Sequence, residues 1–127
     1  MSKNVRVAIR VPEPLEREFM QQVIADGYGM KGKSKWVAEA INFFLKLDDF
    51  PEYVEYGEEL SETDKNKVQS FYFEQDLINK LSDATKTVRQ QNPMIEGVRS
   101  LIVRSSIIQR LFRGDISTRD SESMVDN

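Results

Sequence analysis

The stretch from residue 4 to residue 12, N-V-R-V-A-I-R-V-P, most constrains how this chain can fold. Its apolar side chains, Val5, Val7, Ile9 and Val11, share one face, because they alternate with polar or small residues. This period of two is typical of a half-buried β-strand. A lone strand leaves a row of unpaired backbone groups, so a second strand is needed. Residues 67–73 are the other strand candidate, and we expect the two to pair antiparallel.

Two helices are predicted after the first strand. Apolar residues recur at steps of four, at Leu15, Phe19 and Val23, with Met20 and Ile24 alongside. This spacing indicates a short amphipathic helix, which Gly27 and Gly29 end. Ser34 is predicted to cap a second helix. The apolar positions of that helix are Trp36, Val37, Ala40, Ile41, Phe44 and Leu45.

The same order of strand, helix and helix returns in the second half of the chain. The first helix there has the apolar stripe Leu77, Leu81, Ala84 and Val88, Asn92-Pro93 breaks it, and Ser100 opens a run through Ile102, Val103, Ile107 and Leu111. Leu15 corresponds to Leu77 at an offset of 62, and Ser34 to Ser100 at an offset of 66. Each copy has about 45 residues, too few for a stable core of its own. The duplication therefore predicts two halves that share one core.

These patterns predict a mainly α fold with a short two-stranded antiparallel β-ribbon, built as an intramolecular pseudo-dimer of two repeats. The first repeat covers residues 1–47, an acidic linker 48–66, the second repeat 67–113 and a flexible acidic tail 114–127. The linker also contains Phe50, Tyr53, Tyr56 and Leu60. Two interpretations of it remain open: its aromatic residues pack on a neighbouring helix, or it forms an acidic docking surface.

Composition argues against catalysis. The 127-residue chain has no Cys and no His, so it has no disulfide, no Cys/His zinc site, no thiol nucleophile and no imidazole base. Its acidic residues cluster in the linker and tail. We therefore expect a protein that is not an enzyme and needs no metal or cofactor. The N-terminal residues lack the apolar core of a signal peptide and no run is long enough for a membrane span, so we expect a cytoplasmic protein with no membrane partner.

Charge is distributed unevenly along the chain. The net charge is -3, yet residues 1–47 carry 8 basic and 5 acidic side chains, and residues 67–114 carry 8 basic and 4 acidic ones. The excess of acid lies in residues 48–66 and 115–127. Both repeats are therefore positive and suited to face phosphate groups.

The strand and first helix of the first repeat read V-R-V-A-I-R-V-P-E-P-L, and its second helix reads G-K-S-K-W-V-A-E-A-I-N-F-F-L. On these residues the first repeat resembles the ribbon-helix-helix proteins of the Arc/MetJ/CopG kind. In the second repeat, K-V-Q-S-F-Y-F-E-Q-D-L and V-R-S-L-I-V-R-S-S-I-I-Q-R-L are similar to the same elements, although Gln69 stands where Val7 is apolar. Tandem copies in one chain resemble the TraY-type accessory proteins of conjugative plasmids.

The resemblance implies DNA binding through a ribbon in the major groove, where each base pair has its own donor and acceptor pattern. The base-reading side chains would be the outward ones, Arg6, Ala8 and Arg10 in the first strand and Val68, Ser70 and Tyr72 in the second. An alternative for Arg6 and Arg10 is a charged, solvated edge strand. A shift of one residue would instead bury Tyr72 and expose Phe71.

Phosphate groups would be held at the start of each second helix, where free N–H groups and the helix dipole favour an anion. The residues expected there are Lys31, Lys33, Ser34 and Lys35, and Arg99 and Ser100 in the second repeat, with Arg104 nearby. Both serines could equally be ordinary caps. Trp36 and the Phe43-Phe44 pair are expected in the core.

We therefore expect sequence-specific binding of double-stranded DNA. The protein would act as a transcriptional repressor or regulator, or as a relaxosome accessory protein at a conjugative transfer origin. The two sets of readers differ, so an asymmetric DNA site is expected. The alternative is an antitoxin-like protein-interaction module, whose acidic linker or tail binds a protein and whose DNA binding is secondary. The chain is expected to be a monomer off DNA, and association of chains on DNA is left open.

Overall fold

The computed structural model describes residues 4–59 and 66–113, without the side chains of residues 30 and 55–59. The tail at 114–127, residues 60–65 of the linker, and the side chain of Tyr56 lie outside what is described. The elements are β1 (Asn4–Pro12), α1 (Glu13–Ala25), α2 (Lys33–Leu45), α3 (Phe50–Glu59), β2 (Asn66–Glu74), α4 (Gln75–Gln91) and α5 (Val98–Arg113), with one 3₁₀ turn at Met30–Gly32. The fold is mainly helical with one two-stranded sheet, as predicted. Within the two described ranges, no helix is long and apolar enough to cross a membrane.

The two strands pair antiparallel in a single register. Ala8 lies opposite Ser70, Val7 opposite Phe71 and Arg6 opposite Tyr72. Phe71 is fully buried, whereas Tyr72 is 53% exposed. The alternative in which a one-residue shift buries Tyr72 is therefore excluded.

The inward face of the ribbon packs against the helices. Its buried side chains are Val7, Ile9, Val11, Phe71 and Phe73. The ring of Phe19 lies 5.6 Å from Trp36 and 6.0 Å from Phe71, which joins α1 to α2 and to β2. The predicted stripe of α1 is confirmed at Leu15, Phe19 and Val23, but Ile24 is 54% exposed, because it lies beside that stripe rather than on it.

Helix α5 is the central helix of the fold and packs against α2, α3, α4 and β1. Its buried positions include every residue from 101 to 107, well beyond an amphipathic stripe. Two of these are serines, and a buried hydroxyl needs a hydrogen-bond partner. Ser106 donates to the carbonyl of Ile102 at 2.7 Å, and Ser105 to that of Val54 at 3.5 Å.

A buried arginine ties α5 to α2. The Arg110 guanidinium lies 4.4 Å from the centre of the Trp36 ring and donates to the Trp36 carbonyl at 2.7 Å. It also contacts the Glu39 carboxylate and the Tyr28 hydroxyl, both at 3.3 Å, and Tyr28 donates to Glu39. Burial raises the pKa of Tyr28, and the hydrogen bond to Glu39 raises it further, while Arg110 opposes both. The buried guanidinium thus has acceptors on α2 and on Tyr28.

The segment expected to be an acidic linker contains a helix, α3. Val54 is fully buried, and the rings of Phe50 and Tyr53 lie 5.9 and 6.4 Å from Phe44. The interpretation that linker aromatics pack on a neighbouring helix is confirmed for these two rings. Val54 therefore belongs to the core and Phe50 packs against it, so this part of the segment is not a simple tether.

Both second helices begin earlier than predicted. Gly32 is the N-cap residue of α2 and no side chain caps that helix, so Ser34 is its second residue. Helix α5 begins at Val98, and the N–H of Leu101 donates to the carbonyl of Gly97 at 3.0 Å. The predictions that Ser34 caps the helix and that Ser100 opens it are wrong, because each helix begins directly after a glycine, Gly32 or Gly97.

Candidate nucleic-acid interface

All six side chains predicted to read bases lie on the outward face of the ribbon. They form three cross-strand pairs, Arg6 with Tyr72, Ala8 with Ser70 and Arg10 with Val68. Five of the six are exposed and Ser70 is half-buried. The face is therefore a narrow exposed strip with an arginine on each side of a small central pair.

The two arginines have different surroundings. Arg6 donates from Nη2 to the Ser70 hydroxyl at 2.9 Å, diagonally across the strands. Diagonal neighbours on one face of a ribbon are within reach of long side chains. Ser70 therefore orients the Arg6 guanidinium, while Arg10 lies opposite the apolar Val68. The half of the strip with Arg6 and Tyr72 is therefore the more polar half, and its arginine has a hydrogen-bond partner on the other strand.

Each open edge of the ribbon makes one hydrogen bond with a helix side chain, from α2 on one edge and from α5 on the other. The N–H of Tyr72 donates to the Ser34 hydroxyl at 3.0 Å, on the edge of β2. On the edge of β1, Arg104 donates to the Arg10 carbonyl at 3.0 Å. An unpaired edge invites pairing with another strand, and these two contacts satisfy one backbone group on each edge. Arg104 thus binds the edge of β1, a role the sequence did not predict.

The start of α2 and the Tyr72 end of the ribbon line one groove. Its lining includes the half-buried Ser34 and four exposed residues, Asn4, Lys31, Lys35 and the acidic Glu74. Two of the predicted phosphate-binding lysines are therefore brought beside the reading strip. The Ser34 hydroxyl already accepts a hydrogen bond from the ribbon, so it ties the helix start to β2.

Lys33 does not join this groove. Its Nζ donates to the Gln69 side chain at 2.8 Å and lies 5.6 Å from the centre of the Phe71 ring, on the inward side of the ribbon. Gln69 donates in turn to Glu16 at 2.7 Å. Sequence reasoning missed this polar chain. The sequence feature that could have indicated it is Gln69, a polar residue at an inward-facing position of β2, where a polar side chain needs partners.

The second predicted phosphate site is less complete. Arg99 is exposed and Ser100 is half-buried near the start of α5. No hydrogen bond or ion pair within residues 4–59 and 66–113 joins either of them to the ribbon. The two ends of the strip therefore differ. Exposed lysines lie beside Tyr72, whereas at the other end the buried Arg104 donates to the Arg10 carbonyl.

Among the residues that the structure describes, no three acidic side chains come together as a group that could hold a metal ion. Comparison of the chain with protein-family models, with curated proteins and with solved structures gives no match. The antiparallel ribbon followed by helices is compatible with a ribbon-helix-helix-like fold.

Proposed function

We propose that this chain binds double-stranded DNA in a sequence-specific manner, with its ribbon in the major groove. In this proposal the two strand-helix-helix units are ribbon-helix-helix repeats that form a pseudo-dimer within one chain. The observation that carries it is the register, since Arg6, Arg10 and Tyr72 project from one exposed strip. A two-stranded ribbon fits the major groove and presents such side chains to base edges.

The chemistry of the strip suggests an asymmetric DNA site. An arginine can make two hydrogen bonds to O6 and N7 of guanine, and the methyl group of Ala8 suits a thymine methyl. Tyr72 lies beside Arg6, whereas Val68 lies beside Arg10, so the two halves of a site would meet different groups. The protein would act as a transcriptional repressor or regulator, or as an accessory at a conjugative transfer origin. Both roles need the same binding chemistry.

The proposal predicts that each of Arg6→Ala and Arg10→Ala weakens binding to a preferred duplex. In vitro selection would first supply that duplex, and fluorescence titration would then compare it with random DNA. Loss of a two-bond guanine contact is worth about 1–3 kcal/mol, a loss of about 5- to 150-fold in affinity. Lys86→Ala, on an exposed side chain about three turns along α4, is the matched control and should change neither affinity. Unchanged specific affinity in both arginine variants would reject the proposal.

A second prediction concerns the lysines of the groove. The double variant Lys31→Ala, Lys35→Ala should weaken binding to preferred and random DNA by the same factor, because phosphate contacts carry no sequence information. The slope of log affinity against log salt concentration should become shallower by about 2, since each lost phosphate contact removes about 0.9. A fall in affinity confined to the preferred duplex would show that these lysines do not contact phosphate.

A further inference from the structure

Gln69 is a polar residue at an inward-facing position of β2, two residues before the buried Phe71. Its amide is satisfied at both ends. Oε1 accepts from Lys33 at 2.8 Å, and Nε2 donates to Glu16 at 2.7 Å. Glu16 is largely buried and also lies 3.8 Å from Lys67. This chain of contacts, Lys33 to Gln69 to Glu16, is called the Gln69 bridge below.

Both partners of Gln69 come from the other half of the chain. Glu16 is on α1 and Lys33 is the first residue of α2. At the offsets of 62 and 66 that relate the two halves, the corresponding residues are Ile78 and Arg99. The second half therefore has no carboxylate at the place of Glu16.

The centre of the ribbon makes alternative pairings geometrically possible. Ala8 and Ser70 correspond at the offset of 62 and also lie opposite each other. Two copies of the chain could therefore pair β1 with β1 and β2 with β2 in an equivalent register. In a β2–β2 pair, Gln69 would face Ile78 of the second copy, and its amide N–H would lose its acceptor. Gln69 is half-buried, and a donor left there without a protein acceptor loses the net stabilisation of its hydrogen bond.

We propose that the Gln69 bridge makes β2 pair with β1 of the same chain. It thereby prevents two copies of the chain from pairing β1 with β1 and β2 with β2, called like-strand pairing below. A β1–β2 ribbon keeps Arg6 and Tyr72 at one end and Arg10 and Val68 at the other. Like-strand pairing would instead give two different symmetric strips. The bridge thereby preserves the asymmetry of the outward face. This inference rests on the correspondence of the two halves and not on DNA binding, so its test needs no DNA.

The absence of cysteine from the chain allows a direct test. In Ser70→Cys, two thiols face each other only if β2 pairs with β2 of a second copy. The N–H of Tyr72 points to the open edge, so Ala8 and Ser70 form a pair without ladder hydrogen bonds. The Cα atoms of such pairs are about 4.5 Å apart, within the range that a disulfide spans. The double variant Ala8→Cys, Ser70→Cys is the positive control and should close within one chain.

Each protein is unfolded in urea, refolded at high concentration, oxidised and run on a non-reducing gel. Ser70→Cys alone should give no more disulfide-linked dimer than Ser82→Cys, an exposed control on α4. Adding Gln69→Val, the residue at the corresponding position of β1, should raise the dimer about tenfold, because the unsatisfied amide no longer penalises the β2–β2 pair. Equal dimer in Ser70→Cys with and without Gln69→Val would overturn the inference, as would abundant dimer in Ser70→Cys alone.

A second route keeps the test decisive if the Gln69→Val protein does not refold. Glu16→Ile, the residue at the corresponding position of α4, removes the acceptor from the β1–β2 ribbon and leaves Gln69 in place. Combined with Ser70→Cys, it should raise the dimer to a similar extent. An unchanged dimer fraction in this refolded variant would equally overturn the inference.

Discussion

Replacing Phe71 by alanine is expected to lower the free energy of unfolding by about 3–5 kcal/mol, as for other fully buried aromatic residues. Phe71 is fully buried, stacks on Phe73 at 5.7 Å and meets the edge of Phe19 at 6.0 Å. Its removal opens a cavity between the ribbon and α1 that two rigid rings cannot fill. Urea denaturation followed by circular dichroism measures the loss.

Tyr72→Ala is the matched control, because it removes the neighbouring aromatic side chain from the other face of the same strand. Tyr72 is 53% exposed, and surface substitutions usually change stability by less than about 0.5 kcal/mol. The ratio of the two losses therefore reports the register of β2. A larger loss for Tyr72→Ala than for Phe71→Ala would mean that the strand is shifted by one residue.

Alternation made β1 predictable, and the return of the strand-helix-helix order in the second half indicated β2 and its pairing with β1. Strand β1 has the bounds that were predicted, and β2 extends one residue beyond the prediction at each end. The stripe of α4 is buried throughout at Leu77, Leu81, Ala84 and Val88, as its spacing indicated. Periodicity succeeds here because each element has one buried and one solvated face.

Helix α3 was not predicted, because its core contribution is too short to show a period. Among the described side chains of α3, at residues 50–54, Val54 is fully buried, and it stands among acidic residues that dominate the composition of the segment. A helix of this kind depends on tertiary packing against α5 and Phe44 more than on its own pattern. The acidic composition of residues 48–66 therefore concealed a structural role.

In the candidate site, the outward residues of the strip were predictable from the sequence. The contacts that helix residues make with the ribbon were not. Alternation alone placed Arg6, Ala8 and Arg10 outward. The roles of Ser34, Lys33 and Arg104 depend on contacts with residues 36 to 94 positions away in sequence. In sequence terms, a hydroxyl near a helix start can cap the helix, bind phosphate or contact a ribbon edge, and a long basic side chain can bind phosphate or donate to a backbone carbonyl. Only the packing of the helices against the ribbon decides among them.

Arg110 lies on the buried face of α5, where a charged residue is tolerated only with partners. Its guanidinium is stacked on Trp36 and donates to the Trp36 carbonyl and to Glu39. Arg110→Ala removes these contacts together and opens space beside the indole. Its side chain is 10% exposed and that of Glu39 is 44% exposed, so the ion pair with Glu39 is partly screened by solvent.

The expected result for Arg110→Ala is a loss of about 3 kcal/mol in the free energy of unfolding, from the desolvated cation–π contact and the charged hydrogen bond. Arg110→Lys keeps the charge but not the planar donor geometry, so its loss should be intermediate. Arg99→Ala, at an exposed position of the same helix, should change stability by less than about 0.5 kcal/mol. Urea titrations followed by fluorescence report on this cluster directly, since Trp36 is the single tryptophan of the chain. Equal stability of Arg110→Ala and Arg99→Ala would show that the buried guanidinium contributes nothing to the fold.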